Sequence, residues 1–258
     1  MYRSKVYRER SIDDIKSDIE KCALQNLQPE KVFLCDGDAL GASQELLVRT
    51  LECIKEKLPS VKRVGIYATA ENMLEKSVEE LTALKNLGLK IAYLGLESGD
   101  DKILHMIVKG NTAQEMVDAS LKIKNAGIKL STIVMLGVGG RKHSENHIKN
   151  TALLLSQTAP HFLSFLTTFA VEGTPYHTMQ ERGLIEPLTS LELLTEMKGI
   201  IAGSDFSLNE VLFRANHVSN AQPLGGLLPR DKEILLSTID LWMTGTPKGQ
   251  YPTRPESM

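Results

Sequence analysis

The stretch Val32-Phe33-Leu34-Cys35-Asp36-Gly37-Asp38-Ala39-Leu40 runs from an apolar segment into an acidic turn carrying one glycine, and then towards a helix. The apolar start has the composition of a buried strand, and Asp-Gly-Asp is turn chemistry. In parallel sheets, ligands bind where strands end and helices begin. One such turn decides little, because every βα unit has one, but this sequence repeats it. Similar junctions occur at Tyr67-Ala68-Thr69, at Gly95-Leu96-Glu97-Ser98-Gly99, at Met135-Leu136-Gly137-Val138-Gly139-Gly140 and at Phe169-Ala170-Val171-Glu172-Gly173.

Working outward, Ser11 is a good N-cap for a helix in which Ile12, Ile15, Ile19 and Cys22 follow helical spacing and Asp13 and Asp14 occupy the first turn. A second helix is predicted over 43–58, stopped by Pro59. The alternation then recurs: strand 61–67, helix 77–86, strand 90–96, short helix 100–108, helix 112–126 ending in Gly127, strand 128–136, helix 144–158 and strand 162–169. Strands and helices alternating at roughly 30-residue spacing imply right-handed βαβ crossovers and a parallel sheet. With the opening strand, that makes five strands. Past Gly173, Thr174-Pro175-Tyr176 breaks the pattern; helices are predicted near 190–202 and 230–243, and 206–214 offers one further strand. The last residues, 245–258, hold three prolines and are expected to be frayed or loosely attached.

Composition narrows the function classes. Of 258 residues 42% are hydrophobic and 24% charged, enough to bury a core. Thirty basic against 32 acidic residues give a formal charge of −2, so there is no clear nucleic-acid signal and none for an anionic membrane. Arg3, Lys5, Arg8 and Arg10 cluster locally, either as a solvated arm or as contacts to a phosphate-bearing ligand. No run of about 18 apolar residues and no hydrophobic signal region is present, from which a cytoplasmic location is expected. Cys22, Cys35 and Cys53 are too few and too far apart for a disulfide framework or a CxxC metal site, so no metal ligand is assigned.

Among polar candidates, Glu97 ends the apolar run Ile91-Ala92-Tyr93-Leu94-Gly95-Leu96, where a carboxylate either accepts from a ribose hydroxyl or amine or braces the loop. Asp36 and Asp38 flank Gly37; they suit an ammonium or a metal ion, or form an Asp-Gly turn with Asp38 capping the next helix. The glycines of 137–140 lack the Lys-Ser/Thr ending of a nucleotide-triphosphate loop and are better suited to packing a planar group against backbone. His143 and His147 are four apart but lack a third ligand, and are expected on a solvated helix start. There is no Gly-x-Ser-x-Gly elbow, and no catalytic residue is assigned.

Taken in order, these junctions resemble the radical S-adenosylmethionine (radical SAM) superfamily, in particular its Elongator-type and coproporphyrinogen-oxidase-like branch, over about residues 1–180. The resemblance implies an α/β fold: a partial (β/α)6 TIM-like barrel over 1–180, its first strand missing, and a mostly helical extension over 181–258. It implies S-adenosylmethionine across the strand ends, with Gly37 and Asp38 at the methionine amine, Glu97 and Ser98 at ribose or carboxylate, Gly137, Ala170 and Val171 bordering adenine, and Thr69 nearby. It also implies a 4Fe-4S cluster held by Cys-x3-Cys-x2-Cys, which this sequence lacks. The expectation is of an amino-terminally truncated radical SAM enzyme whose full-length form cleaves S-adenosylmethionine reductively, with an electron donor, and abstracts hydrogen from an unknown small-molecule substrate. The alternative is a cluster-less module that binds S-adenosylmethionine or a nucleoside and acts with a partner protein. An ordinary parallel α/β enzyme using a metal or phosphate-bearing substrate stands outside the family, on the acids alone.

Overall fold

In the computed structural model, which describes residues 7–25, 27–36 and 38–255, strands and α-helices alternate along most of the chain, seven strands and ten α-helices among the described residues. The sheet is dominated by parallel pairs, so the α/β class expected from the repeated junctions holds. The chain forms two compact units, Met1–Leu94 with Asp118–Leu130, and Gly95–Val117 with Ser131–Met258.

In the first unit, α1 (Ile12–Leu24) starts at Ser11, whose hydroxyl accepts the Asp14 N–H at 3.1 Å. Strand β1 (Lys31–Leu34) leads to a short 3-10 turn and then to α2 (Gln44–Lys57), which buries Leu47, Leu51 and Ile54 on one stripe. Strand β2 (Arg63–Ala68) is followed by two helices, α3 (Ala70–Glu75) and α4 (Val78–Asn86), each opened by a capping box, from Thr69 and from Ser77. Strand β3 (Leu89–Glu97) completes the parallel set, Phe33 facing Gly65 and Tyr67 facing Tyr93. Period two places Val64, Ile66 and Ala68 on the helix-covered face and Tyr67 on the other. Complete burial of a side chain such as Ile66 stabilises the fold by about 2 kcal/mol.

The second unit contains α5 (Asp101–Met106), capped by Asp100, and takes in the start of α6 (Ala113–Asn125) and most of β4 (Lys129–Leu136). Helix α7 (Gly140–Thr158) follows, then β5 (Phe162–Thr167), α8 (Pro175–Glu181) with proline in its first turn, α9 (Ser190–Gly203), β6 (Val211–Ala215), β7 (Leu224–Leu228) and α10 (Lys232–Gly245). Strands β4, β5 and β6 pair parallel, Leu136 with Thr167 and Leu163 with Phe213, whereas β7 returns antiparallel on β6. The five expected strands are present, and the one offered by 206–214 is β6.

The residues from Gly245 to Pro252 are largely exposed but attached: the Ser190 N–H donates to the Gln250 carbonyl at 2.7 Å, and Thr246, Pro247 and Pro252 wall a cavity with α9. One expectation is corrected. His147 is not on a solvated helix start. Helix α7 begins at Gly140, which moves His147 into its third turn, wholly buried.

Candidate functional site

Asp38 is held at the end of β1 by one oxygen. Its Oδ2 accepts from Asn72 Nδ2 at 3.2 Å, while the Asn72 N–H donates to Thr69 Oγ1 and the Thr69 N–H to Asn72 Oδ1, each at 3.2 Å. One amide therefore ties the ends of β1 and β2. Asp38 makes no side-chain cap to the 3-10 turn that follows it, so it does not serve as a helix cap. The second oxygen, Oδ1, is buried without a hydrogen-bond partner. A buried carboxylate oxygen lacking a donor is costly, and a cationic or N–H-bearing ligand group would remove that cost. Tyr7 is close enough to register the charge: burial, Glu9 and Asp38 together push its phenol pKa up. Gly37, Arg3 and Lys5 lie outside the described residues.

In the second unit, Glu97 takes a positive φ of 59° at the end of β3, and its Oε1 accepts from Lys109 Nζ at 3.0 Å. Ser98 is buried and its side chain is committed inward: the hydroxyl lies 2.8 Å from His147 Nδ1 and accepts the Asp100 N–H at 3.1 Å. Thr151 Oγ1, which accepts the Gly99 N–H at 2.9 Å, also lies 3.2 Å from His147 Nδ1, so two hydroxyls meet this ring nitrogen. Gly99 brings the chain against α7 so closely that a Cβ there would lie 2.3 Å from the Asn150 carbonyl oxygen. Asp100 accepts the N–H groups of Lys102 and Ile103 on Oδ1 and Asn150 Nδ2 on Oδ2.

The turn after β4 is held from two sides. The Gly137 N–H, at a residue with φ of 77°, donates to Glu196 Oε2 at 2.6 Å, and Ser144 Oγ donates to Glu196 Oε1 at 2.7 Å. The Tyr176 hydroxyl lies 3.2 Å from the Gly137 carbonyl and 3.1 Å from that of Val138. Burial pushes the Glu196 carboxyl up to about 7, against the opposing pull of Gly137 and Ser144. Burial likewise pushes His147 down to about 4, although Asp100 and the Met135 carbonyl favour its charged form. His147 Nε2 is 4.0 Å from Glu196 Oε2, too far for a hydrogen bond. After β5, Ala170 and Val171 are half-buried, and the Val171 carbonyl accepts the Thr174 N–H and hydroxyl. The Thr168 hydroxyl is buried without a partner.

The expected residues thus divide by unit. Asp38 and Thr69 are joined through Asn72, while Glu97 and Ser98, Gly137, and Ala170 with Val171 occupy three strand ends of the second unit. The sequence expectation omitted Glu196, Tyr176 and the buried role of His147. A signal for Glu196 existed, since it is a lone acid within the apolar stripe Leu193, Met197 and Ile200. Among the described residues no group of three or more His, Cys, Asp or Glu is arranged to hold a metal ion.

The sequence profile of the radical SAM superfamily matches residues 2–155, more than half of the chain. This protein belongs to the radical SAM superfamily. It is 25% identical over 173 residues to the heme chaperone HemW of Bacillus subtilis (strain 168), covering 66% of this chain and 44% of HemW. Its fold is similar to archaeal Elp3 of Methanocaldococcus infernus (TM-score 0.58, 16% identity, 91% of this chain and 58% of that one). It is similar also to coproporphyrinogen III oxidase HemN from Escherichia coli (TM-score 0.59, 13% identity, 74% and 44%). The chain spans less than half the length of HemW. These likenesses agree with the expected branch and with a partial TIM-like barrel.

Radical SAM proteins use S-adenosylmethionine and an iron–sulfur cluster, and the two fit the described residues unequally. A four-iron cluster left open for the cofactor needs three thiolates. Here Cys22 is half-buried on α1, Cys35 is exposed after β1, and Cys53 is buried on α2, where burial pushes its thiol up towards the protonated form. These cysteines do not fit the cluster, and no step is assigned through it. The unpartnered Asp38 oxygen, in contrast, fits an ammonium such as that of S-adenosylmethionine.

Proposed function

We propose that this chain is the S-adenosylmethionine-binding barrel of a radical SAM protein, with residues 1–180 as the cofactor-binding part and 181–258 as an extension contributing to the substrate site. The observation that carries it is the buried, donor-less Oδ1 of Asp38 at the end of β1, in a chain whose family binds a cofactor bearing an ammonium group. In this reading Gly37 and Asp38 receive the methionine ammonium, with Thr69 fixing Asp38 through Asn72. Glu97 stands towards ribose or carboxylate, with Ser98 fixing that turn through its buried hydroxyl, and Gly137, Ala170 and Val171 stand towards adenine. When bound, the cofactor supplies a sulfonium from which the family generates a radical. This chain's residues supply acceptors for the ammonium and ribose and a fixed backbone for the base. Reductive cleavage, the electron donor and hydrogen abstraction from a small-molecule substrate are assigned to a form of the protein that brings three thiolates to this site, in a cytoplasmic setting.

A second reading is a cluster-less module that binds S-adenosylmethionine or a nucleoside and works through a partner protein. Titration calorimetry tests the binding shared by both. S-adenosylmethionine should bind the chain, and Asp38→Asn, which keeps the shape but not the charge, should weaken binding about tenfold, in line with a charged hydrogen bond of about 1.5 kcal/mol. No binding, or an unchanged Asp38→Asn, removes the proposal. Formation of 5′-deoxyadenosine by a form of the protein that carries three such thiolates, after reconstitution with iron, sulfide and a reductant, would decide for the enzyme; such a reconstituted form that binds the cofactor without cleaving it decides for the module.

A further inference from the structure

Three aromatic side chains crowd one face of the first unit's sheet, one from each strand. Ring centroids are 4.7 Å apart for Phe33 and Tyr67, 5.0 Å for Phe33 and Tyr93, and 6.2 Å for Tyr67 and Tyr93, all edge to face. The register explains why they meet: Phe33 faces Gly65, Tyr67 faces Tyr93, and the Phe33 ring lies over Gly65, where an added Cβ would approach Phe33 Cδ2 to 2.9 Å. The core of this unit is on the opposite face, in Val64, Ile66, Ala92 and Leu94. Despite their mutual contacts, Phe33 remains 38% and Tyr67 44% exposed. Burying three large rings is the usual outcome for a sheet face, so an exposed aromatic cluster on a second face marks a binding surface.

The charge around the rings says what kind. On the same face by period two, Lys31 lies two residues before Phe33 and Arg63 two before Gly65, the residue that Phe33 faces; the two cations are register partners, and neither has an ion-pair partner among the described residues. The strand segments 31–34, 63–68 and 89–94 contain no Asp or Glu. The cation pair lies about 7 Å along the strands from the Phe33 position, a distance that a ribose and its phosphoester link span, with Tyr67 and Tyr93 one further step of about 7 Å beyond. Flat rings take a base by stacking irrespective of its identity, and paired cations take a phosphate. Two cations match one phosphate, and the chain's formal charge of −2 provides no basic stripe along which a nucleic-acid strand would run.

We propose that this face binds a free mononucleotide, its base against Phe33, Tyr67 and Tyr93 and its phosphate between Lys31 and Arg63. The site uses none of the residues assigned to S-adenosylmethionine and does not depend on that assignment.

Equilibrium dialysis of the 258-residue chain with guanosine 5′-monophosphate, guanosine and a hexauridylate RNA, each with and without saturating S-adenosylmethionine, tests it. The nucleotide should bind at one site, at least tenfold more tightly than guanosine, and S-adenosylmethionine should not displace it. Phe33→Leu, which keeps an apolar cover over Gly65, and Lys31→Glu, at an exposed position, should each weaken binding at least tenfold while circular dichroism and the thermal midpoint stay at their wild-type values. Four results overturn the proposal: no saturable binding, equal affinity for guanosine, displacement by S-adenosylmethionine, or binding of RNA more tightly than of the nucleotide. Loss of nucleotide binding alone leaves the S-adenosylmethionine assignment intact, and the reverse result removes only that assignment.

Discussion

Replacing Glu196 with Gln should change how stability depends on pH more than it changes stability itself. Burial raises the Glu196 carboxyl from 4.5 to about 7 and lowers His147 from 6.5 to about 4. The folded protein therefore holds a proton on Glu196 that the unfolded chain releases, so stability falls as pH rises from 4.5 through 7. His147 acts oppositely: its stabilising neutral form is fully expressed above 6.5, and stability is lost as pH falls through 4. Each slope is about 1.4 kcal/mol per pH unit within its window, and each window spans enough to total about 3 kcal/mol. Between pH 4.5 and 6.5 the two cancel in the native protein. Glu196→Gln keeps an acceptor for the Gly137 N–H but has no proton to lose, so the His147 slope is left alone. Urea denaturation followed by circular dichroism at half-unit pH steps gives the difference between variant and wild type, in which the other titrating groups drop out. The variant should gain on the wild type by about 3 kcal/mol between pH 4.5 and 7, and the difference should then level off. A flat difference across that range would mean that Gly137 and Ser144 keep Glu196 ionised throughout, and would refute the neutral buried carboxyl. His147→Asn should produce the mirror image, a variant that gains on the wild type as pH falls from 6.5 towards 4.

Two further outcomes rest on geometry without titration. Gly99→Ala places a methyl group 2.3 Å from the Asn150 carbonyl oxygen, a backbone atom that cannot step aside, and should destabilise the protein by about 3 kcal/mol in the same urea assay; unchanged stability would show that the chain at Gly99 does not press on α7. Asp100→Ala removes the cap of α5 and the partner of Asn150 together, and should cost about 2 kcal/mol, with Asp100→Asn recovering part of it; equal losses for the two variants would assign the effect to packing rather than to hydrogen bonds.

The strands that were legible in the sequence are those whose apolar runs are continuous. Phe33, Ile66, Leu94, Val134 and Phe165 each sit in such a run, and each run ends at a turn with glycine, aspartate or threonine nearby. Strand β7 was not legible because Leu224-Gly-Gly-Leu-Leu has poor intrinsic strand preference; antiparallel pairing with β6 makes it a strand, a tertiary effect invisible in a local window. Helix α3 escaped for a different reason: six residues give too little periodicity, and the signal lay in the capping box between Thr69 and Asn72. The placing of His147 on a solvated start followed from beginning the helix at Ser144 instead of Gly140. Four residues are more than one helical turn, enough to move a side chain from a frayed end to the core.

The two hydrogen-bond sets of the second unit share one element. From α7, His147 and Thr151 hold Ser98 and Gly99 at the end of β3, Asn150 holds Asp100, and Ser144 shares Glu196 with the Gly137 turn at the end of β4. A single rigid helix thus fixes the backbone at two neighbouring strand ends through buried polar groups, at the cost of keeping a carboxyl and an imidazole neutral inside the protein. An apolar interior would be less costly for stability alone. Buried polar groups that are nearly all satisfied instead fix one conformation, and a turn fixed before its ligand arrives loses no ordering entropy on binding. If the turns at Ser98 and Gly137 border the cofactor, Glu196→Gln should leave S-adenosylmethionine affinity close to wild type, since an acceptor for the Gly137 N–H remains. Glu196→Leu, which leaves that N–H without a partner, should weaken it. Equal affinities for the two variants would separate the rigidity of this turn from cofactor binding.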